Sequence, residues 1–225
     1  MNFLQEVPRK KMIPPNTQIR PEGLNAIIMA LLTTLVMALL GWKLAALAGL
    51  VLTALVLNFF RDPERVVPDD PVIAVAPADG KVVKISRMAD PFTGEDRTAV
   101  CIFMNVFNVH VNRMPVSGKI EKVKYYPGKF FNASLDKASK DNERCAWLIR
   151  DEHGHDWTMV QIAGLVARRI VCLAEKGDLL KRGERYGLIK FGSRVDLYLP
   201  KDYEPKIALG DKAAAGQTII AGKAE

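Results

Sequence analysis

The chain has 225 residues, 49% of them hydrophobic, and it carries a formal net charge of +7 with an isoelectric point near 9.3. This length accommodates one domain and an accessory segment. The basic residues are not massed in one block and no nucleic-acid-binding motif is present, so the charge favours an anionic membrane over nucleic acid. Three widely spaced cysteines, Cys101, Cys145 and Cys172, form no CxxC pair, which argues against a disulfide framework and a zinc site.

A long apolar segment, residues 24–60, comes first and contains one charged residue, Lys43. As one straight helix it would measure about 55 Å, whereas a bilayer core is about 30 Å thick. The segment therefore predicts two helices, 24–40 and 44–60, joined in a hairpin at Gly41, Trp42 and Lys43. A cleaved signal peptide is not indicated, because the apolar region starts late and is too long.

Basic residues flank this hairpin on both sides. They are Arg9, Lys10, Lys11 and Arg20 before it, and Arg61 and Arg65 after it. Under the positive-inside rule both flanks stay in the cytoplasm, which predicts a protein of the cell membrane whose remaining chain lies on the cytoplasmic face. A shallow re-entrant hairpin and a hairpin buried in a soluble protein are the alternatives.

The composition changes at Asp62, where a proline-rich linker begins. Short apolar runs then alternate with turn signals, which predicts a mainly β domain of antiparallel, barrel- or sandwich-like architecture. A helical stretch is expected near 133–142. The predicted organisation is a membrane-anchoring segment, residues 1–61, followed by a β domain, residues 62–225.

A short repeat lies in the C-terminal part of the β domain. The segments KGDLLKRGERYGLI (176–189) and LGDKAAAGQTIIA (209–221) share Gly-Asp, a second glycine six positions after the first, and an apolar pair. This pattern suggests two related β modules, like the duplicated hairpins of lipoyl- or biotinyl-carrier folds.

Two polar motifs lie among the predicted strands. In PADGKVV (77–83), Asp79 and Gly80 are typical of a turn. In FNVHVNRMP (107–115), strand alternation puts Asn108, His110 and Asn112 on one face, which is either solvated or part of a site.

A third polar motif, DEHGHDW (151–157), resembles a metal-binding cluster. Its central glycine separates two strand-like runs, which is typical of a hairpin tip. We therefore assign no metal ligand to it.

The strand-like run LIKFGSRVDLYLP (188–200) is interrupted by Gly192 and Ser193. A β-bulge is the simplest interpretation, since glycine inside a strand often marks one. The alternative is that Ser193 is a reactive hydroxyl beside a backbone carbonyl with little steric cover.

The order of these motifs resembles that of phosphatidylserine decarboxylase, in the short form of the proenzyme. Pro-Ala-Asp-Gly, Asn-Val-His-Val-Asn-Arg-Met-Pro, Asn-Glu-Arg (142–144) and Phe-Gly-Ser-Arg follow one another over residues 60–220. The resemblance implies that Ser193 attacks the Gly192 carbonyl and that the chain cleaves itself there. The expected products are the chains 1–192 and 193–225, with a covalent pyruvoyl group derived from Ser193.

The resemblance also implies the reaction and its residues. The pyruvoyl group would form a Schiff base with phosphatidylserine, an anionic phospholipid, and promote its decarboxylation to phosphatidylethanolamine. Asp79 would belong to the cleavage apparatus and His110 would donate a proton to the carbanion. Long-form members carry a histidine where this chain has Arg113, which cannot act as a base, so the base for cleavage stays open.

Two further functions are alternatives at this stage. One is the same reaction on an ether-linked serine phospholipid, as in archaea. The other is a membrane-tethered carrier-like β module with no enzymatic activity, which predicts an intact chain. The expected protein partners are the chain's own cleaved subunits and, as an open alternative, a second copy of the chain in a homo-oligomer.

Overall fold

The computed structural model describes residues 18–129, 131, 133, 141–164, 170–189 and 192–224. The helices are α1 (Leu24–Leu39), preceded by a 3-10 turn at Pro21–Gly23, and α2 (Lys43–Phe59). The strands are β1 (Ile73–Val75), β2 (Gly80–Ala89), β3 (Asp96–Met104), β4 (Val111–Arg113), β5 (Gly118–Tyr126), β6 (Arg144–Asp151), β7 (Asp156–Ala163), β8 (Ile170–Cys172), β9 (Leu179–Leu180), β10 (Arg185–Ile189), β11 (Ser193–Tyr198), β12 (Tyr203–Pro205), β13 (Lys212–Ala213) and β14 (Ile219–Lys223). The helix expected near 133–142 lies largely outside the described residues, as does the basic cluster at 9–11.

One compact unit holds the described residues of Ile13–Glu64 together with Phe107–Val109. Its two helices form a hairpin whose ends are tied to each other, because Arg20 N donates to Phe60 O at 2.8 Å. Inside the hairpin the hydroxyls of Thr34 and Thr53 lie 3.4 Å apart. The close approach requires a small residue at Gly49, where a Cβ would lie 2.5 Å from Thr34 Oγ1. The predicted apolar hairpin is confirmed.

Large apolar side chains cover the outer faces of this hairpin. They are exposed on every side, up to 84% at Leu44 and 78% at Leu39. The stretch Pro21–Leu39, with 19 residues, is long and apolar enough to cross a membrane, and α2 is shorter at 17 residues. Side chains of this kind are typical of a segment whose surroundings are lipid.

The other unit holds the described residues of Arg65–Val106 and His110–Glu225. Its main sheet has eight strands in the order β13-β2-β3-β11-β7-β6-β5-β9, and two three-stranded sheets have the orders β1-β14-β12 and β4-β10-β8. All the pairings between these strands are antiparallel. The main hydrophobic cluster draws on all three sheets, including Trp147, Ala74 and Tyr186. The predicted mainly β, antiparallel domain is confirmed.

The two repeated segments make the same backbone contacts. Gly183 N donates to Met114 O, and Gly216 N donates to Ala76 O, both at 2.8 Å. These two glycines have φ values of 83° and 76°, in the left-handed region that favours glycine. The expected carrier-like duplication is not confirmed, because β9 and β13 join the eight-stranded sheet whereas β10 and β14 each join a different small sheet. The segments are therefore interleaved with the whole domain instead of forming separate modules.

A buried ion pair lies on one face of β11. The Arg194 guanidinium donates twice to the Asp196 carboxylate, at 2.7 and 2.9 Å, and donates to Ala133 O at 3.0 Å. Burial by itself lowers the pKa of Arg194, but the Asp196 carboxylate raises it overall. Burial and the same carboxylate raise the pKa of the Cys101 thiol well above its ordinary range. The pair thus fixes the start of β11 on the face opposite Ser193.

Removing one partner of this ion pair should lower the free energy of unfolding more than replacing both partners by apolar residues. We expect Arg194→Met to lower the free energy of unfolding by about 3–5 kcal/mol, because Asp196 stays buried without its cation. The double variant Arg194→Met/Asp196→Leu should recover most of that loss. Chemical denaturation of the three proteins in the same detergent measures both effects. A single variant as stable as the parent would show that the ion pair does not anchor this strand.

Candidate active site

The sequence motifs meet at one end of the eight-stranded sheet. Ser193 pairs with Met104 of β3 on one side and with Ala163 of β7 on the other. The flanking segments extend this line of paired residues on both sides. Ala163 N donates to Glu143 O at 2.9 Å, and β2 begins at Gly80 beside the end of β3. Strand register therefore brings together segments that are distant in the sequence.

The Gly192–Ser193 peptide stands where β11 begins. Gly192 has φ of 60°, a left-handed conformation that a side chain would disfavour. Ser193 is fully buried, and its hydroxyl lies 4.0 Å from Met104 Sδ. The Gly192 carbonyl oxygen lies against Gly164, where a Cβ would come within 1.8 Å of it. Only glycine at position 164 leaves this carbonyl in place, a requirement that the sequence pattern did not reveal.

His110 lies next to the strand that leads to this peptide. It directly precedes β4, which pairs with β10 through Val111 and Leu188. The pairing extends one residue further, since Ile189 N donates to His110 O at 3.2 Å. His110 is 2% exposed. The backbone pairing therefore places the buried His110 beside β10, the strand that precedes Gly192 in the sequence.

Two buried carboxamides continue the site on the side of Ser193. Asn112 Nδ2 lies 3.6 Å from Met104 Sδ, the same sulfur that the Ser193 hydroxyl approaches. Gln161 Nε2 donates to Asn112 Oδ1 at 2.5 Å, and both residues are fully buried. Gln161 Oε1 has no hydrogen-bond partner among the described residues. The alternation of FNVHVNRMP predicted Asn112 on one face with His110 and did not place it beside Ser193. Gln161 was missed, and a lone amide in the apolar run TMVQIA was its only signal.

Asp79 lies at the same end of the sheet, before Gly80, but its carboxylate is hydrogen-bonded to Arg65 and Ala215 and not to Ser193. One carboxylate oxygen accepts from Arg65 at 2.9 Å and the other accepts from Ala215 N at 2.7 Å. The second bond has a counterpart in the repeated segment, where Arg182 N donates to Ser117 Oγ at 3.0 Å. The hydrogen bond to Ala215 thus belongs to a turn that both repeated segments form. The ion pair with Arg65 is a feature of Asp79 and not of its counterpart Ser117.

Arg113 has a structural position. Its guanidinium donates to Gly183 O at 3.0 Å, its backbone N donates to Pro77 O at 2.9 Å, and it is 4% exposed. Its Cδ packs against Gly216, where a Cβ would lie 3.0 Å away. The side chain therefore connects β4 to the two repeated turns.

Asn142, the first residue of Asn-Glu-Arg, holds the neighbourhood of Gly164 together. Its fully buried carboxamide donates to Ala163 O and to Phe131 O, both at 2.7 Å, and accepts from Phe131 N at 2.9 Å. Next to it, Glu143 accepts from Ile170 N at 3.4 Å. These bonds fix the chain on either side of the residue that faces the Gly192 carbonyl.

The polar motif 151–157 forms the tip of the β6–β7 hairpin, as predicted. The Asp151 carboxylate accepts from Trp157 Nε1 and pairs with His155 Nδ1, each at 2.9 Å. Burial alone would raise the pKa of Asp151, but hydrogen bonds from Trp157 and His155 lower it. Among the residues that the structure describes, no group of three His, Cys, Asp or Glu side chains is arranged to hold a metal ion.

Comparison with known proteins agrees with this geometry. The family model described as phosphatidylserine decarboxylase matches residues 52–221. A phosphatidylserine decarboxylase proenzyme of Nitratidesulfovibrio vulgaris is 60% identical over 209 residues, covering 93% of this chain and 96% of that protein. Proteins of the same name from Oleidesulfovibrio alaskensis and Cupriavidus pinatubonensis are 58% and 48% identical, each over 92% of this chain and 95% and 96% of their own. The chain therefore belongs to the phosphatidylserine decarboxylase family.

Proposed function

We propose that this protein is a phosphatidylserine decarboxylase that generates its own pyruvoyl group by cleavage between Gly192 and Ser193. The observation that carries the proposal is the buried Ser193 hydroxyl at the start of β11, directly after a left-handed Gly192. Its relatives at 48–60% identity bear the name of the proenzyme, which supports a processed precursor. They favour neither the ether-lipid substrate nor the carrier module.

The cleavage proceeds in two stages on the chain's own atoms. Ser193 Oγ bonds to the Gly192 carbonyl carbon while the peptide C–N bond breaks, which leaves an ester and a free amine on residue 193. Loss of the Ser193 α-proton then expels the Gly192 carboxylate and leaves dehydroalanine. Water replaces its nitrogen, which departs as ammonia, and the three carbons of Ser193 become the pyruvoyl group. Glycine suits position 192 because it exposes the carbonyl to attack.

A base must activate the serine hydroxyl, which is a weak nucleophile by itself. Arg113 does not provide one, since its guanidinium holds Gly183 O. We propose that His110 and Asp79 serve the cleavage, with Arg65 holding the Asp79 carboxylate in place through their 2.9 Å contact. His110 acts directly or through a bound water.

The surroundings of position 193 fit the mature group. The pyruvoyl carbons derive from the serine in place, so they need no room beyond what Ser193 occupies, and the Asn112 carboxamide supplies a donor beside Met104. When formed, the group supplies an electron-withdrawing carbonyl for the amine of the substrate. We propose that His110 protonates the carbon that loses carbon dioxide, a task suited to a group with an ordinary pKa near 6.5.

We propose that residues 1–61 anchor the enzyme in the cell membrane and that residues 62–225 form the catalytic domain on its cytoplasmic face. The apolar hairpin and its basic flanks support this arrangement, because Arg20 and Arg61 lie at its two ends. A membrane anchor suits a substrate that is itself an anionic membrane lipid.

Cleavage should give two chains, 1–192 and 193–225. The second chain should resist Edman degradation, because its first residue has no free amine. Ser193→Ala should remain one chain and release no carbon dioxide from phosphatidylserine, since alanine has no nucleophile. Intact-mass measurement and a decarboxylation assay test both points. A wild type that stays uncleaved yet active would contradict the proposal.

His110→Ala should slow the cleavage and, per cleaved molecule, should lower carbon dioxide release by about 100-fold or more, the usual contribution of a positioned proton donor. The measured rate of each protein is divided by its cleaved fraction, which intact-mass measurement determines. His153→Ala is the control, because His153 is exposed at the hairpin tip. Near-normal release by cleaved His110→Ala would assign this histidine a purely structural role.

Gly164→Ala should slow cleavage by about 100-fold, because the new methyl group displaces the Gly192 carbonyl from the serine hydroxyl. Gly222→Ala is a matched control, since its Cβ would meet only the flexible Lys206 side chain, at 3.2 Å. The rate at which precursor disappears after synthesis measures the effect. Cleavage of Gly164→Ala at the control rate would show that the carbonyl position does not matter.

A further inference from the structure

The loop between β3 and β4 has an apolar tip in the described structure. Val106 is 46% exposed and Phe107 is 62% exposed. Adjacent exposed apolar side chains form a patch, and apolar patches on a protein surface mark contacts with a membrane or another protein. Val109, two residues further on, is 3% exposed, so only the tip of the loop is uncovered.

The backbone of this tip is fastened to the end of the apolar hairpin. Phe107–Val109 belongs to the same compact unit as the two helices. Arg61, which follows α2, donates to Phe107 O at 2.8 Å and to Asn58 O at 2.5 Å. One guanidinium therefore connects the last turn of α2 with the loop. A cation at the end of an apolar helix is suited to the level of anionic lipid headgroups.

The same loop is connected to the candidate active site by very little chain. Phe107 is three residues from Met104, whose sulfur lies 4.0 Å from Ser193 Oγ, and three residues from His110. Consecutive Cα atoms are 3.8 Å apart, so the Cα of Phe107 lies within about 11 Å of the Cα of each. A surface that contacts Phe107 is thus held close to Met104 and His110 by the length of the chain.

We propose that Val106 and Phe107 enter the lipid surface and hold the catalytic residues at the level of the substrate headgroup. The inference rests on the proposed function and adds to it a second lipid contact besides the helical hairpin. The occupant is the acyl–headgroup boundary of an anionic bilayer, where an apolar side chain beside a basic one binds favourably. The serine headgroup of a lipid in that bilayer lies at this boundary, so the substrate need not leave the membrane.

Fluorescence quenching tests the contact without relying on activity. Phe107→Trp is made in a Trp42→Phe background, where the remaining Trp147 and Trp157 are fully buried and give a constant baseline. The full chain is reconstituted into phosphatidylglycerol–phosphatidylcholine vesicles with brominated acyl chains. We expect quenching of the added tryptophan at 107 and none for Leu209→Trp, a control site that is 67% exposed. Equal quenching at both sites, or none at 107, would overturn the inference.

A kinetic test separates this loop from the chemistry. Val106→Ser/Phe107→Ser should cleave normally and decarboxylate dispersed, short-chain phosphatidylserine at the parent rate. On long-chain phosphatidylserine in vesicles its rate should fall about tenfold, whereas Leu209→Ser should match the parent. Equal losses on both substrates, or a loss on neither, would overturn the lipid contact. A parent inactive on both substrates would refute the proposed function, and the quenching result would still decide the inference.

Discussion

The proposed chemistry depends on a strand that is hydrogen-bonded on both sides from its first residue. Ser193 pairs with Met104 and with Ala163, so β11 is a central strand and not an edge strand. The strands that follow it also pair with earlier parts of the chain, β14 with β1 and β13 with β2. A cut before Ser193 removes one covalent bond but none of these ladders. If the chain is cleaved as we propose, we therefore expect the two chains to stay assembled and the new terminus to keep the position of the serine.

The alternation of β11 separates reactive chemistry from structural charge. Successive side chains of a strand point to opposite faces. Ser193 lies beside the sulfur of Met104, which the Asn112 carboxamide also contacts, and both of these neighbours are neutral. Arg194 and Asp196 neutralise each other on the other face. A buried ion pair is held firmly by its geometry, because each charge is costly without its partner. We propose that the neutral side receives the substrate, which brings its own charge.

The path of the chain connects the proposed membrane anchor with the proposed catalytic residues. The chain leaves the β unit after Val106, contributes Phe107–Val109 to the helical unit, and returns at His110. His110, which we assign to proton transfer, is thus one peptide bond away from the compact unit that holds the two helices. An enzyme whose substrate is confined to a bilayer benefits from such a connection, because the reacting groups then stay near the lipid headgroups.

The sequence by itself determined the local features of this protein. Apolar length and the Gly41 break indicated two helices, and turn chemistry indicated the hairpin tip at 151–157, because these signals act within a few residues. The resemblance of ordered motifs pointed to Gly192, Ser193, His110 and Asp79. Strand alternation predicted Asn112 on one face with His110, whereas the strand itself begins only at Val111.

Only the tertiary structure decided which distant residues surround that peptide. Gly164 must lack a side chain because the Gly192 carbonyl rests against it, and Gln161 joins the site through Asn112. Both contacts depend on the register between strands that are far apart in the sequence, which core packing selects and no local pattern encodes. The same register directs Asp79 to Arg65 and Ala215, and it interleaves the repeated segments with the whole domain.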